Sequence, residues 1–385
     1  MPFDLRLTPE QEMLRDSVRA FADEVLKPRA AHHDRTREFP IENWKRCAAM
    51  NLTGMMAPEE YGGAGLDGVS YVLAIEEVSR ACASTGVILS VNNSLFCGPI
   101  ARFGSEAQKR RYLVPHARGE KIGAYCLTEP GSGSDAAAMR TTAVRKGDRY
   151  VLRGSKVFVT NGVAADTFIV YATTDPTLRH KGIGAFIVER TFAGLRTGKP
   201  EPKMGITCSG SVEIVLEDCE VPVENLLGKE GEGFPIAMNT LDGGRIGIAA
   251  QALGIARAAL EESLAYSRDR VAFGQPIASF QAIQWKLADM ATELDAARLL
   301  TWRAAWARDH KPRCALEASM AKLFASEACM RAAKEGVQIH GGYGYISEYT
   351  VERLFRDAKI TEIYEGTSEI QRLVIAKEIL KGAGA

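Results

Sequence analysis

Tyr150-Val151-Leu152, Val157-Phe158-Val159-Thr160, Phe168-Ile169-Val170-Tyr171-Ala172, Ala185-Phe186-Ile187-Val188-Glu189 and Val212-Glu213-Ile214-Val215-Leu216 are short β-branched and aromatic runs separated by Gly, Asp and Pro. Such side chains fit a pleated surface, and the breakers between them stop any helix from forming. Residues 123–232 are therefore expected to form a β-domain, a small barrel or sandwich.

On both sides of this block the hydrophobic period changes. Thr8 suits an N-cap, Pro9 the first helical position and Gln11 the third position of a capping box, before Met13, Leu14, Val18, Phe21 and Val25 mark one face. An N-terminal helical domain is expected over 1–122. After residue 233, Ile283, Leu287, Met290, Leu294 and Ala297 recur at helical steps and predict a buried face in a helical domain over 233–385. Helices, then strands, then helices make an α+β multidomain chain and not the alternating order of a doubly wound parallel sheet. The glycine-rich pieces agree, since neither Gly131-Ser132-Gly133-Ser134 nor Gly341-Gly342-Tyr343-Gly344 forms a Gly-x-Gly-x-x-Gly between a strand and a helix.

The 385 residues exceed one ordinary core, and 48 basic residues balance 48 acidic ones. No net field draws the chain to nucleic acid or to an anionic membrane, so a phosphate-bearing ligand must be held by local groups. The eight cysteines contain no Cys-x-x-Cys pair, which argues against a disulfide framework and a zinc site. Met1-Pro2-Phe3-Asp4-Leu5-Arg6 lacks the character of a secretory leader, and no apolar run approaches a membrane span. The expected location is the cytoplasm of a bacterium or, for a processed mature chain, the mitochondrial matrix.

Four longer segments are more specific: Leu127-Thr128-Glu129-Pro130-Gly131-Ser132-Gly133-Ser134-Asp135, Lys156-Val157-Phe158-Val159-Thr160-Asn161-Gly162, Gln338-Ile339-His340-Gly341-Gly342-Tyr343-Gly344, and Ile363-Tyr364-Glu365-Gly366-Thr367-Ser368-Glu369-Ile370-Gln371. Together with Cys82-Ala83-Ser84-Thr85-Gly86 and Val91-Asn92-Asn93-Ser94, they resemble the acyl-CoA dehydrogenase family along essentially the whole chain, most nearly its short-chain, butyryl-CoA-type branch. The resemblance implies an N-terminal helical domain, a middle β-barrel or sandwich and a C-terminal four-helix bundle. It also implies a homotetramer with one FAD per subunit, acyl-CoA as substrate and an electron-transferring flavoprotein as electron acceptor.

The resemblance further implies roles for particular residues. Tyr125, Cys126, Leu127, Thr128, Gly133 and Ser134 would run along the flavin, and Phe158, Val159 and Thr160 would stack on the ring and reach its N5 edge. Phe158 replaces the Trp frequent in relatives but keeps an aromatic face. Arg270, Phe273 and Gln281, with Gln338, Ile339, His340, Gly341 and Gly342, match contacts to the pyrophosphate and adenosine of a neighbouring subunit's FAD; Thr367, Ser368 and Glu369 complete that set. Ser134, Asp242, Gly243, Gly244, Arg245 and Gly366 match the acyl-CoA channel.

On residues alone Glu365 reads as an exposed loop glutamate; the resemblance makes it the base that takes the substrate α-proton. A carboxyl in an apolar cavity has its pKa raised by desolvation, which suits that role. Some relatives carry the base immediately before the arginine matching Arg245, where this chain has Gly244. Ser368 and Gln371 have capping-box spacing, which predicts a helix start just after the base. The chain departs from relatives at Met204-Gly205-Ile206-Thr207-Cys208-Ser209-Gly210-Ser211, where they often carry an Arg and a Ser/Thr run. An acyl-CoA oxidase on the same scaffold and a flavin- or CoA-binding scaffold without turnover remain as alternatives.

Overall fold

The computed structural model describes residues 6–382; residues 1–5, within the stretch read for a leader, and 383–385 lie outside them. The first helix, Pro9–Phe21, starts as its residues predict. The Thr8 hydroxyl accepts from the Gln11 amide at 3.3 Å, and the Gln11 side chain accepts from the Thr8 amide at 3.0 Å. Val18 is buried, but Met13 is 70% exposed, because five residues on from Met13 the helix has turned well past a shared face.

The helix Gly68–Ala81, capped by Asp67, crosses the long helix Gly233–Asp269 closely enough that a Cβ on Gly254 would sit 2.5 Å from the Glu76 carbonyl oxygen. Glycine there permits the approach. The helices Gln281–His310, Ala315–His340 and Ser368–Gly382 complete the C-terminal bundle with Gly233–Asp269. In the predicted stripe, Met290, Leu294 and Ala297 are buried, whereas Ile283 and Leu287 at the start of the helix are only half-buried.

Between these helices the chain forms eight strands in one sheet: β1 (Gly123–Cys126), β2 (Thr142–Lys146), β3 (Arg149–Val159), β4 (Thr167–Thr173), β5 (Ile183–Glu189), β6 (Leu195–Thr197), β7 (Val212–Pro222) and β8 (Leu226–Leu227). The order is β6-β7-β3-β2-β4-β5-β8, with β1 parallel to β4. β2 meets β4 only at Thr142 and Thr173, so the sheet folds over at that seam. Tyr150 of β3 then packs edge-on against Phe186 of β5, with ring centroids 5.0 Å apart. The runs 150–152 and 157–160 fall mostly within one strand, since the ladder to β7 is shifted twice but not ended.

All eight cysteines are free and buried. Among the described residues no cluster of potential metal ligands occurs, and no helix is long and apolar enough to cross a membrane.

Candidate active site

Glu365 sits in the short segment before the helix Ser368–Gly382, with φ +54° followed by Gly366 at φ +96°. Two consecutive left-handed residues reverse the chain sharply, and for a non-glycine residue this conformation persists only where neighbours enforce it. Three hydrogen bonds do so. The Gln371 side-chain amide donates to the carbonyls of Glu365 at 3.2 Å and Gly366 at 2.8 Å, and the Lys322 ammonium donates to Gly366 at 2.8 Å. The helix itself is capped by Thr367, whose hydroxyl accepts from the Ile370 amide at 3.3 Å. The expected Ser368–Gln371 box is therefore corrected: Ser368 is already helical, and Gln371 is drawn back to the turn.

The Glu365 carboxyl points into the protein. Its Oε2 is buried and has no hydrogen-bond partner, and desolvation pushes its pKa up to about 8 against the opposing charges of Lys322 and Arg245. Glycine at 244 makes the room: a Cβ there would lie 1.9 Å from Glu365 Oε2 and 2.7 Å from Leu95 Cδ2. A side chain at 244 and the Glu365 carboxylate compete for one space. Arg245, almost fully buried, pairs with Asp242 at 2.8 Å and leaves its Nε unpartnered. The structure thus brings Glu365, Gly366, Gly244, Arg245 and Asp242 together. Gly243 lines an adjoining cavity of about 290 Å³ with Tyr71, Ser94, Ile246 and Arg308.

Tyr125, at the end of β1, buries an unpartnered hydroxyl and feels the charge of Glu365. Beyond it the loop through Leu127, Thr128, Gly133 and Ser134 is fixed by a buried ion pair. Lys156 of β3 binds Glu129 at 2.7 Å and the Leu127 carbonyl at 3.1 Å, while Glu129 accepts from the Arg140 and Thr141 amides. The Val157 amide donates to Thr128 at 2.9 Å, which holds this loop beside Phe158. Phe158 has φ +58° and is 68% exposed, whereas Val159 is buried and Thr160 half-buried. An aromatic ring left uncovered on a strained backbone is a platform for a flat ligand. Cys126 is buried, and Gly133 and Ser134 are exposed, with nothing within 4 Å of a Cβ built on Gly133.

A second cavity, of about 530 Å³, lies elsewhere on the chain and shares no lining residue with the first. Arg270, Ile339, His340, Gly341 and Gly342 line it with Tyr266 and Tyr343, and the Arg270 guanidinium lies over the Tyr343 ring at 5.6 Å. Gly341 and Gly342 leave open space where a Cβ would stand. Phe273, in the short hairpin after Arg270, is 96% exposed, and Gln281 and Gln338 are exposed too. Thr367 and Ser368 stay with the Glu365 turn, apart from this cavity.

Motif reading did not single out Lys322, Gln251 or the Lys156–Glu129 pair. Gln251 accepts a hydrogen bond from the Tyr364 hydroxyl and donates to the Ala83 carbonyl at 2.9 Å, which ties the turn to the N-terminal helices. Lys156 and Glu129 stand inside the quoted motifs, and their opposite charges in apolar surroundings were a usable signal. Lys322 and Gln251 lie within helical periods and gave none.

Three family models match in order: "Acyl-CoA dehydrogenase, N-terminal domain" over residues 8–120, "middle domain" over 124–219 and "C-terminal domain" over 231–380. The chain is 52% identical over 378 residues to the short-chain specific acyl-CoA dehydrogenase of Clostridium acetobutylicum, covering 98% of this chain and 100% of that one. Its fold matches butyryl-CoA dehydrogenase from Megasphaera elsdenii with a TM-score of 0.96 and 46% identity, over 98% and 100% of the two chains. A chain from the solved structure of the electron transferring flavoprotein of Acidaminococcus fermentans matches with a TM-score of 0.96 and 50% identity, again over 98% and 100%.

Proposed function

The chain belongs to the acyl-CoA dehydrogenase family, and from that premise we propose that it oxidises short, straight-chain acyl-CoA thioesters to trans-2-enoyl-CoA, with FAD as cofactor and an electron-transferring flavoprotein as acceptor. The observation that carries the reading is the unpartnered, desolvated carboxyl of Glu365. An α-proton beside a thioester is weakly acidic, and its removal needs a positioned base of raised pKa. Glu365 is that base, and its backbone amide is the donor to the thioester carbonyl, where negative charge develops as the proton leaves.

The residues present fit a flavin dinucleotide. Phe158 offers an uncovered ring, the Gly133 and Gly341–Gly342 backbones are open to close approach, and Arg270 faces a cavity suited to a diphosphate. Tyr125 to Ser134 and Phe158 to Thr160 would hold the ring, and Arg270 with Gln338 to Gly342 the pyrophosphate end. Bound FAD supplies the acceptor for the β-hydride. Asp242 to Arg245 and Ser134 border the acyl-CoA, whose short chain is the substrate of the similar enzymes. Eight free, buried cysteines suit a reducing compartment, the bacterial cytoplasm or the mitochondrial matrix.

Anaerobic mixing of the purified holoprotein with butyryl-CoA tests the reading. Bleaching of the oxidised flavin band, followed by electron transfer to the carrier flavoprotein without hydrogen peroxide, is the expected result. A flavin that stays oxidised with every acyl-CoA offered would sink it.

A further inference from the structure

Lys156 and Lys322 are fully buried, and they differ in one respect. Lys156 faces the Glu129 carboxylate, whereas Lys322, from the helix Ala315–His340, spends its hydrogen bond on the Gly366 carbonyl. Burying an ammonium against a neutral oxygen is costly: desolvation pushes the Lys322 pKa down to about 8, and the charge that opposes this most is that of Glu365. The same carbonyl takes the Gln371 amide, so two donors converge on the residue after the base. The turn they grip is the strained one, with Glu365 at φ +54°.

We propose that Lys322 is the positioning residue of the base: it fixes the Glu365–Gly366 turn through the Gly366 carbonyl, and its charge offsets part of what burial costs the ionised Glu365 carboxylate. This rests on the reading of Glu365 as base. Six groups face this pair, from five elements: Arg245 from Gly233–Asp269, Tyr71 from Gly68–Ala81, Tyr125 from β1, Glu362 and Tyr364 from the preceding segment, and Glu369 from the following helix. Arg245, the other cation among them, is already paired with Asp242 at 2.8 Å. Lys322 is therefore the cation whose loss Glu365 would feel most.

Lys322→Met and Lys322→Gln, made in the full holoenzyme, separate the two parts of the role. The measurements are FAD content, affinity for a non-reducing acyl-CoA analogue, and the pH profile of anaerobic flavin reduction by butyryl-CoA. Removing the charge raises the Glu365 pKa, so both variants move the acid limb to higher pH, by about one unit for the loss of a nearby opposite charge. Gln can still donate to Gly366, so its plateau rate exceeds that of Met. A limb in its wild-type place in both variants overturns the proposal, because a merely structural lysine would lower the rate without shifting the profile. Failure of both variants to assemble with FAD overturns it too, since Lys322 would then serve folding. A wild-type enzyme that butyryl-CoA does not bleach would instead count against the reaction assigned above.

Discussion

Burial holds Glu365 protonated up to a pH of about 8, so the form able to accept a proton appears only as the pH rises through that value. The expected pH dependence follows directly: kcat/KM, which reports the free enzyme, is low at neutral pH and climbs as the pH rises through about 8. A limb near the ordinary carboxylate value of 4.5 would show that the cavity does not desolvate this group. Gly244 gives a second measurement at this scale. Gly244→Ala places a methyl 1.9 Å from Glu365 Oε2, and the carboxylate must move. Misplacing a catalytic group by about 1 Å costs on the order of 100-fold, so stopped-flow flavin reduction should slow by roughly that factor while FAD stays bound. An unaltered rate would mean that the carboxylate does not occupy the position beside Gly244. The sequence named Glu365 and Gly244 through their neighbours in a motif. It was silent on Lys322, because an alanine-rich helical stretch does not disclose which lysine is buried.

The segment from Leu127 to Asp135 has little secondary structure of its own, yet it must present a fixed edge beside β3. The Lys156–Glu129 pair supplies what the missing ladder does not. Lys156→Met leaves Glu129 buried beside the Arg140 and Thr141 amides without its cation, and breaking one partner of a buried pair costs about 3–5 kcal/mol. The thermal midpoint should fall and flavin should be released before the helical parts melt, which flavin fluorescence against far-UV circular dichroism would resolve. Coincident, unshifted transitions would show that the pair does not hold this loop. Elements announced by local chemistry were legible, as the Thr8–Gln11 box was. Those decided by distant partners were not: Gln371 has the spacing to cap Ser368 but bonds the Glu365 turn, and the 150–152 and 157–160 runs join because β7 pairs across the irregularity.

Across the whole molecule the order of helices, strands and helices could be read from hydrophobic period, since each period is local. What covers the exposed apolar side chains could not. Val271, Phe273, Trp285, Leu373 and Leu380 lie bare in the C-terminal part. Arg270 lines a cavity that Glu365 does not, so a homotetramer in which Arg270 reaches the FAD of a neighbouring subunit makes a sharp prediction. Arg270→Gln alone should weaken FAD binding by roughly 10- to 100-fold, the worth of a charged hydrogen bond. Glu365→Gln alone should keep FAD and lose the chemical step by about 10²–10⁴, the usual contribution of a general base. Neither variant is active by itself at limiting FAD. After the two are dissociated, mixed and reassembled, a subunit carrying Arg270→Gln has an intact Glu365, and its FAD is held by the intact Arg270 of a Glu365→Gln neighbour. Activity should therefore return in the mixture, to no more than a fraction of wild type, because the reciprocal site has lost both groups. If Arg270 served its own subunit's FAD, each mixed site would still lack either arginine or base, and the reassembled mixture would stay as inactive as its parents.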